Sequence, residues 1–181
     1  INGVFDCHNN IFEAFMEELE IIINNVNIKY KIKKRKYDTQ HLIVVFSGFG
    51  LANLYTYDFE NALSECPATV VWIKDEFHGC CSYYLCREND YSIEYSVYKF
   101  IEHILDELLL SKEQCTLIGF SKGGSASLYF GVKYGFKNIV STVPQLKIGT
   151  YTSNSWPQVA NHMMGLVDEK SINRLDCILP E

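Results

Sequence analysis

The chain has 181 residues, of which 48% are apolar and 21% charged, and its net charge is −6. This length suffices for one domain with a buried core, and the balance of residue types excludes a disordered or fibrous protein. The negative charge argues against general nucleic-acid binding, and no apolar run approaches the ~20 residues of a transmembrane helix. We therefore predict one domain over residues 1–181, with no nucleic-acid partner and no transmembrane segment.

The cysteines indicate a reducing environment. Their number is odd, no two have the CxxC spacing of a zinc site, and two are adjacent in the chain, which suits neither a disulfide framework nor a metal site. We expect buried thiols in a cytoplasmic protein that holds no metal. The seven residues are Cys7, Cys66, Cys80, Cys81, Cys86, Cys115 and Cys177.

Two elements are predicted near the N-terminus. Apolar residues recur at intervals of three and four over residues 10–24, which predicts a helix. Apolar and lysine residues then alternate over residues 28–33, which predicts a half-buried strand, and a basic run follows at residues 33–36. That run indicates either a solvated edge strand whose lysines discourage aggregation or a contact for an anionic polymer or phosphate.

Four short apolar runs follow, and amphipathic segments separate them. Runs of this kind are apolar on both faces, as in parallel strands covered by helices. An apolar stripe over residues 97–109 predicts a helix before the third run, and a second helix should follow that run and end at Gly135. The alternation predicts a doubly wound α/β sheet. The runs are Leu42–Phe46, Ala68–Ile73, the segment ending at Gly119, and Asn138–Val143.

The sequence G-x-S-x-G stands at residues 119–123, between an apolar strand and a helix. This context is the one required by the nucleophile elbow of an α/β-hydrolase-like, mainly parallel sheet. The serine must occupy a strained backbone conformation, and side chains at positions 119 and 123 would collide with neighbouring elements. We predict that Ser121 is the nucleophile. The alternative is a glycine-rich turn that binds phosphate or only packs tightly.

The expected oxyanion donors are backbone N–H groups. Lys122 follows the serine at the start of a helix, where its N–H can face a developing negative charge. The second donor normally comes from the loop after an earlier strand. Residues 47–50 (SGFG) occupy that place, so Gly48 or Phe49 is expected there. An ordinary glycine turn is the alternative.

The general base is not evident. In this fold class the order along the chain is Ser, then Asp or Glu, then His. His162 is the only histidine after Ser121, and none of the later acids follows a convincing strand. We favour a packing or substrate-contacting role for His162 over a role as base. We expect the chain to be C-terminally truncated, with the last strands, the acid and the catalytic histidine missing.

Several segments resemble the XcbB/CpsF-type capsular polysaccharide biosynthesis proteins and are similar to the serogroup A meningococcal capsule O-acetyltransferase. The similarity extends from about Leu42 to Gly165, and the S-K-G-G elbow with a P-Q-x-K segment is more specific than the elbow alone. The matching segments are residues 118–125, 129–131, 138–140 and 144–147, with Asp75, residues 82–85 and 164–165.

The resemblance implies an α/β-hydrolase-fold enzyme that moves an acetyl group from acetyl-CoA to a sugar hydroxyl of a capsular or surface polysaccharide. It implies that Ser121 is the nucleophile and that amides near Phe49 and Lys122 are the oxyanion donors. It also suggests other capsule-biosynthesis enzymes as partners and a location at the inner face of the membrane. Two alternatives remain open: a carboxylesterase or deacetylase, and a non-catalytic module that binds glycan or assembles with capsule enzymes.

Overall fold

The computed structural model describes residues 16–50 and 55–179. Within them, six strands form one sheet in the order β1-β2-β4-β3-β5-β6. The strands are β1 (Leu19–Ile23), β2 (Val26–Lys33), β3 (Leu42–Phe46), β4 (Thr69–Ile73), β5 (Cys115–Phe120) and β6 (Asn138–Thr142).

The four predicted parallel strands are confirmed. β3 pairs in parallel with both β4 and β5, and β5 pairs in parallel with β6. In register, Val44 of β3 lies between Val71 of β4 and Leu117 of β5. All five residues of β4 are buried, as expected for a strand covered on both faces. The carboxyl ends of β3, β4, β5 and β6 therefore lie along one edge of the sheet.

Helices lie between and after these strands. α2 was predicted from its apolar stripe, and its buried residues include Val97, Phe100, Ile101 and Ile104. α3 was predicted to end at Gly135, which caps it in the left-handed conformation at φ 72°. The helices are α1 (Glu60–Leu63), α2 (Ser92–Leu108), α3 (Lys122–Tyr134), α4 (Ile148–Ser155), α5 (Pro157–Met164) and α6 (Glu169–Asp176). None of those in the described residues combines the length and apolar character that crossing a membrane requires.

The helix predicted over residues 10–24 is wrong where it can be checked. Residues 10–15 lie outside the described residues, and Leu19–Ile23 form strand β1, antiparallel to β2. The two strands join through Asn24 and Asn25, whose φ angles of 48° and 64° give the tight turn that suits a twisted hairpin. The pairing of Leu19–Ile23 with β2 therefore makes this segment a strand, although its apolar residues have the spacing of a helix.

β2 lies between β1 and β4 in the sheet, but β1 pairs only with residues 26–30, so among the described strands Lys33 has a partner on the β4 side alone. The lysines of β2 pair with acids of neighbouring segments: Lys29 contacts Glu76 at 3.0 Å, and Lys31 contacts Glu60 at 2.7 Å. In the run that follows, Lys36 lies 2.6 Å from Glu65. Residues 34–36 follow the strand and are exposed, so the run is solvated at an open end of β2, and ion pairs within the chain account for part of its positive charge.

Candidate active site

Ser121 lies in the turn between β5 and α3. Its φ of 54° and ψ of −119° are unusual for a residue with a side chain, and they represent strain that the surrounding structure must hold. The Ser121 N–H donates to the Thr142 carbonyl at the end of β6 (2.9 Å), and the Ser121 carbonyl accepts from the Ser125 N–H in α3 (3.0 Å). The predicted elbow geometry is therefore confirmed.

Glycines on both sides of the elbow are required by backbone contacts. A Cβ atom at Gly119 would lie 2.0 Å from the Gly123 carbonyl oxygen, and one at Gly123 would lie 2.0 Å from the carbonyl oxygen of Phe46 in β3. A Cβ atom at Gly124 would lie 2.7 Å from the Thr142 carbonyl oxygen in β6. The first turn of α3 thus rests on strand backbones, and this contact fixes the position of Ser121.

The backbone N–H of Lys122 is suited to the role of oxyanion donor. Lys122 is the first residue of α3, and the first N–H groups of a helix have no intrahelical acceptor. Neither this N–H nor that of Phe49 has an acceptor among residues 16–50 and 55–179. A Cβ atom at Gly48 would lie 3.2 Å from the Phe120 carbonyl oxygen, so the loop after β3 lies against the elbow.

Gly48 is a poorer candidate than Phe49 for the second donor. The Gly48 N–H donates to the Asp58 carboxylate at 2.7 Å, so it is not free for a substrate. The Phe49 ring stacks on Trp156, with centroids 4.5 Å apart and planes 10° apart. This stack holds the loop after β3 against the helical segment that follows β6. The structure therefore favours Phe49 and Lys122 as the donor pair.

A buried ion pair lies beneath the elbow. The Lys122 ammonium is 2.6 Å from the Asp75 carboxylate, and both side chains are 1% exposed. Asp75 also accepts hydrogen bonds from the backbone N–H groups of Ser82, Tyr83 and Tyr84 and from the Ser82 hydroxyl, over 2.9–3.2 Å. The loop after β4 and the elbow are thus joined. Sequence reasoning did not assign this pair, although Asp75 follows the end of β4.

A second residue that sequence reasoning missed contacts the nucleophile. The Gln145 side-chain amide donates from Nε2 to Ser121 Oγ at 2.9 Å. Gln145 follows β6 and therefore lies at the edge of the sheet where Ser121 also lies. The resemblance had marked this segment without giving Gln145 a role.

The described residues place no histidine in hydrogen-bond contact with Ser121, whose hydroxyl bonds to Gln145. His162 lies in α5, and its buried Nε2 has no hydrogen-bond partner within the part of the chain that the structure describes. Burial, reinforced by the positive charge of Arg87, lowers the pKa of His162 below its ordinary value. The structure therefore does not support His162 as the base of Ser121, and it fits the packing role favoured from the sequence.

Two tyrosines near the site belong to the core. Tyr83 and Tyr84 are completely buried. The Tyr84 hydroxyl accepts from the Ser47 N–H (2.7 Å) and donates to the Ile73 carbonyl (2.9 Å), so it fastens the ends of β3 and β4. Neither ring is therefore exposed to stack on a ligand.

An open cleft lies next to Gln145, the residue that contacts Ser121. Its volume is about 320 Å³, and Gln145 is one of its walls. Polar side chains of α4 and one lysine form much of the rest, so the cleft suits a polar ligand. The remaining lining residues are Leu146, Lys147, Thr150, Tyr151, Asn154 and Ser155.

The described residues contain no cluster of three or more His, Cys, Asp or Glu side chains that could hold a metal ion.

No protein-family model and no curated protein matches this chain. Solved structures do. The capsule O-acetyltransferase of Neisseria meningitidis serogroup A is similar over 88% of this chain and 66% of its own, with 21% identity and a TM-score of 0.66. A glycosylation-associated protein complex of Streptococcus agalactiae is similar over 90% of this chain and 32% of its own, with 18% identity and a TM-score of 0.74.

A fluorophosphonate-binding serine hydrolase of Staphylococcus aureus is similar over 89% of this chain and 71% of its own, with 13% identity and a TM-score of 0.63. The chain has an α/β-hydrolase fold. At these identities the likeness establishes the α/β-hydrolase fold alone. The chain spans 66% or less of the first two structures named above.

Proposed function

We propose that this α/β-hydrolase domain belongs to a serine-dependent O-acetyltransferase. The enzyme would move an acetyl group from acetyl-CoA to a sugar hydroxyl of a capsular or surface polysaccharide. The observation that carries the proposal is the strained Ser121 at the end of β5 (φ 54°), beside an N–H at the start of α3 that lacks an acceptor. This arrangement presents a nucleophile and an oxyanion donor to the same reacting carbon.

The reaction runs through an acyl-serine. A base takes the Ser121 hydroxyl proton as Oγ attacks the thioester carbon, and the C–S bond breaks while the CoA sulfur receives that proton. The sugar hydroxyl then gives its proton to the base and attacks the acyl carbon, and Oγ recovers a proton as the ester transfers. During both attacks, the N–H groups of Phe49 and Lys122 stabilise the charge on the carbonyl oxygen.

The base in this scheme is a histidine that the described residues do not supply to Ser121. A histidine-to-alanine variant of the meningococcal enzyme has been solved in complex with CoA. The bound CoA supports acetyl-CoA as the acetyl donor in our proposal. The substituted residue shows that a histidine of that enzyme was chosen for mutation. For the present chain, a histidine that approaches Ser121 from the open side of the elbow would complete the nucleophile–base pair.

The acceptor would enter through the cleft that Gln145 borders. Its volume of about 320 Å³ can hold about one sugar ring, and the polar groups of α4 offer hydrogen bonds to sugar hydroxyls. Phe49 belongs to the loop that supplies the oxyanion donor, and its ring stacks on Trp156. This stack would help to exclude water, because transfer to the sugar needs an acyl-serine that water does not reach. The polysaccharide acceptor agrees with the meningococcal likeness, and we extend the proposal to a cytoplasmic location with other capsule-biosynthesis enzymes as partners.

A carboxylesterase or deacetylase is the second candidate. An arylesterase is also among the similar structures, with 19% identity over 88% of this chain and a TM-score of 0.55. The two activities share the acyl-serine and differ in the acceptor, which is water in one case and a sugar hydroxyl in the other. The elbow geometry supports both activities equally.

Mass analysis of the products separates these candidates. The complete gene product is incubated with acetyl-CoA and a panel of capsular polysaccharides, and the Ser121→Ala variant serves as control. A polymer mass increase of one acetyl group per modified sugar, which depends on Ser121, supports the transferase. Release of free acetate without polymer acetylation supports the esterase. No acetylated polymer and no acetate above background from wild type would support the non-catalytic module, and equal product from wild type and Ser121→Ala would mean that another residue is the nucleophile. Either result would reject the proposed function.

A further inference from the structure

The backbone of Gln145 is held in place by the hydroxyl of Ser125. The Ser125 hydroxyl, in the first turns of α3, donates to the Gln145 carbonyl at 2.8 Å and accepts from the Gln145 N–H at 2.8 Å. The same hydroxyl lies 3.4 Å from the Ser121 carbonyl oxygen. Ser125 is completely buried, so these contacts are not exchanged with solvent. The position of residue 145 relative to the elbow is therefore fixed independently of its side chain.

The Gln145 side chain is oriented at both ends of its amide. Its Nε2 donates to Ser121 Oγ at 2.9 Å, and its Oε1 lies 3.4 Å from the Tyr83 hydroxyl, which donates to it. Tyr83 is buried, and its own N–H is held by Asp75 at 3.0 Å. The amide thus connects the nucleophile to the Asp75–Lys122 pair beneath it.

We infer that Gln145 is a positioning residue that contacts the reacting atom and fixes the Ser121 hydroxyl for attack. This inference rests on the proposed function. An amide N–H that occupies a lone pair of Oγ holds the serine side chain in one rotamer. The hydroxyl proton must then point away from Gln145, toward the side from which a base approaches. Gln145 itself exchanges no proton.

The donor role of the amide makes this inference testable. Gln145→Met removes the donor while it preserves the approximate length of the side chain. Gln145→Glu replaces the donor with a carboxylate that can only accept, so the Ser121 hydroxyl proton turns toward position 145 and away from the side from which a base approaches. The carboxylate also repels the negative charge that develops on Oγ during attack.

The measurement is the rate at which a fluorophosphonate labels Ser121 in the complete gene product, followed by mass spectrometry. We expect Gln145→Met to label about 10- to 100-fold more slowly than wild type, since misplacement of a reacting group by about 1 Å has effects of this size. Gln145→Glu should be slower still at pH 8, and its rate relative to wild type at the same pH should rise at pH 5, where part of the carboxyl is protonated and can donate to Oγ. Gln158→Met, an exposed glutamine in α5, is the matched control and should label at the wild-type rate.

The possible outcomes separate this inference from the proposed function. No labelling of wild-type Ser121 would overturn the proposed function and, with it, this inference. Wild-type labelling with an equal rate in Gln145→Met, or a rate in Gln145→Glu at pH 8 that equals or exceeds wild type, would overturn this inference alone. Melting temperatures close to wild type in both variants exclude unfolding as the cause of a slower rate. If Gln145→Met melts well below wild type, the ratio of the Gln145→Glu rate to the wild-type rate decides: an increase in this ratio from pH 8 to pH 5 supports the inference, and an unchanged ratio overturns it.

Discussion

The ammonium of Lys122 and the carboxylate of Asp75 form a 2.6 Å ion pair that is almost completely buried. Lys122 directly follows the strained serine, and Asp75 lies just after β4. The Lys122 ammonium also lies 5.4 Å from the centroid of the Phe49 ring and 5.1 Å from that of Tyr84. One cation therefore joins the elbow, the loop after β3 and the loop after β4, which together surround the reacting carbon in the proposed mechanism.

We predict that Asp75→Asn strongly destabilises the protein. The substitution leaves the buried ammonium without a counter-ion, and removal of one partner of such a pair costs about 3 kcal/mol or more. Urea unfolding measures the loss in free energy. Glu65→Gln is the matched control, because Glu65 also lies 2.6 Å from a lysine, Lys36, but is exposed. It should leave stability unchanged, and equal losses in the two variants would contradict the role of burial.

We predict that Gly123→Ala destabilises the protein more than Gly131→Ala does. The new Cβ atom at 123 meets the Phe46 backbone oxygen at 2.0 Å, whereas at 131 it meets the Ile139 side chain at 2.3 Å. The Ile139 side chain can rotate, and alanine favours the helix by about 1 kcal/mol. We expect a loss of about 3 kcal/mol at 123 and a much smaller one at 131. Thermal melts of both variants check this, and the opposite order would contradict it.

We predict that acid weakens the fold partly through His162. Its pKa is lowered in the folded protein, so the unfolded chain binds the proton more readily. The stabilisation from its neutral form is complete above about pH 6.5 and is lost as the pH falls through the folded-state pKa. Urea unfolding between pH 7.5 and 5 should show a smaller loss of stability for His162→Gln than for wild type. Parallel curves for the two proteins would reject the assignment.

We predict that Ser121→Ala abolishes labelling and acyl transfer while stability changes by about 1 kcal/mol or less. The variant loses the hydrogen bond to Gln145, and a single hydrogen bond contributes about that much. Loss of the nucleophile should lower the rate by several orders of magnitude. Differential scanning calorimetry and the labelling assay measure the two effects. Labelling of the alanine variant at the wild-type rate would identify another nucleophile.

The parallel part of the fold was predictable because its strands carry local information. Val44 and Val71 lie in runs that are apolar on both faces, and only a strand covered by helices makes use of such a run. Ser121 was predictable because its conformation requires glycines at fixed distances along the chain. In both cases, the residues that determine the structure lie within about ten positions of one another in the sequence.

β1 and Gln145 show where local information is insufficient. Ile21 and Ile23 are only partly buried, so their strand lacks the strong alternation that would outweigh helical spacing. The adjacent Asn24 and Asn25 were the available signal, since asparagine tolerates positive φ. Gln145 contacts Ser121 because β5 and β6 end at the same edge of the sheet, and that relationship depends on strand order rather than on nearby residues.

The close approach of α3 to the strands has a consequence for the tolerance of the site to substitutions elsewhere. Gly119, Gly123 and Gly124 let backbone rest on backbone, so no layer of side chains separates the start of α3 from β3 and β6. Substitutions that change the volume of the core can shift side-chain layers elsewhere without moving Ser121. The position of the nucleophile should therefore tolerate repacking of the core as long as these three residues remain glycine.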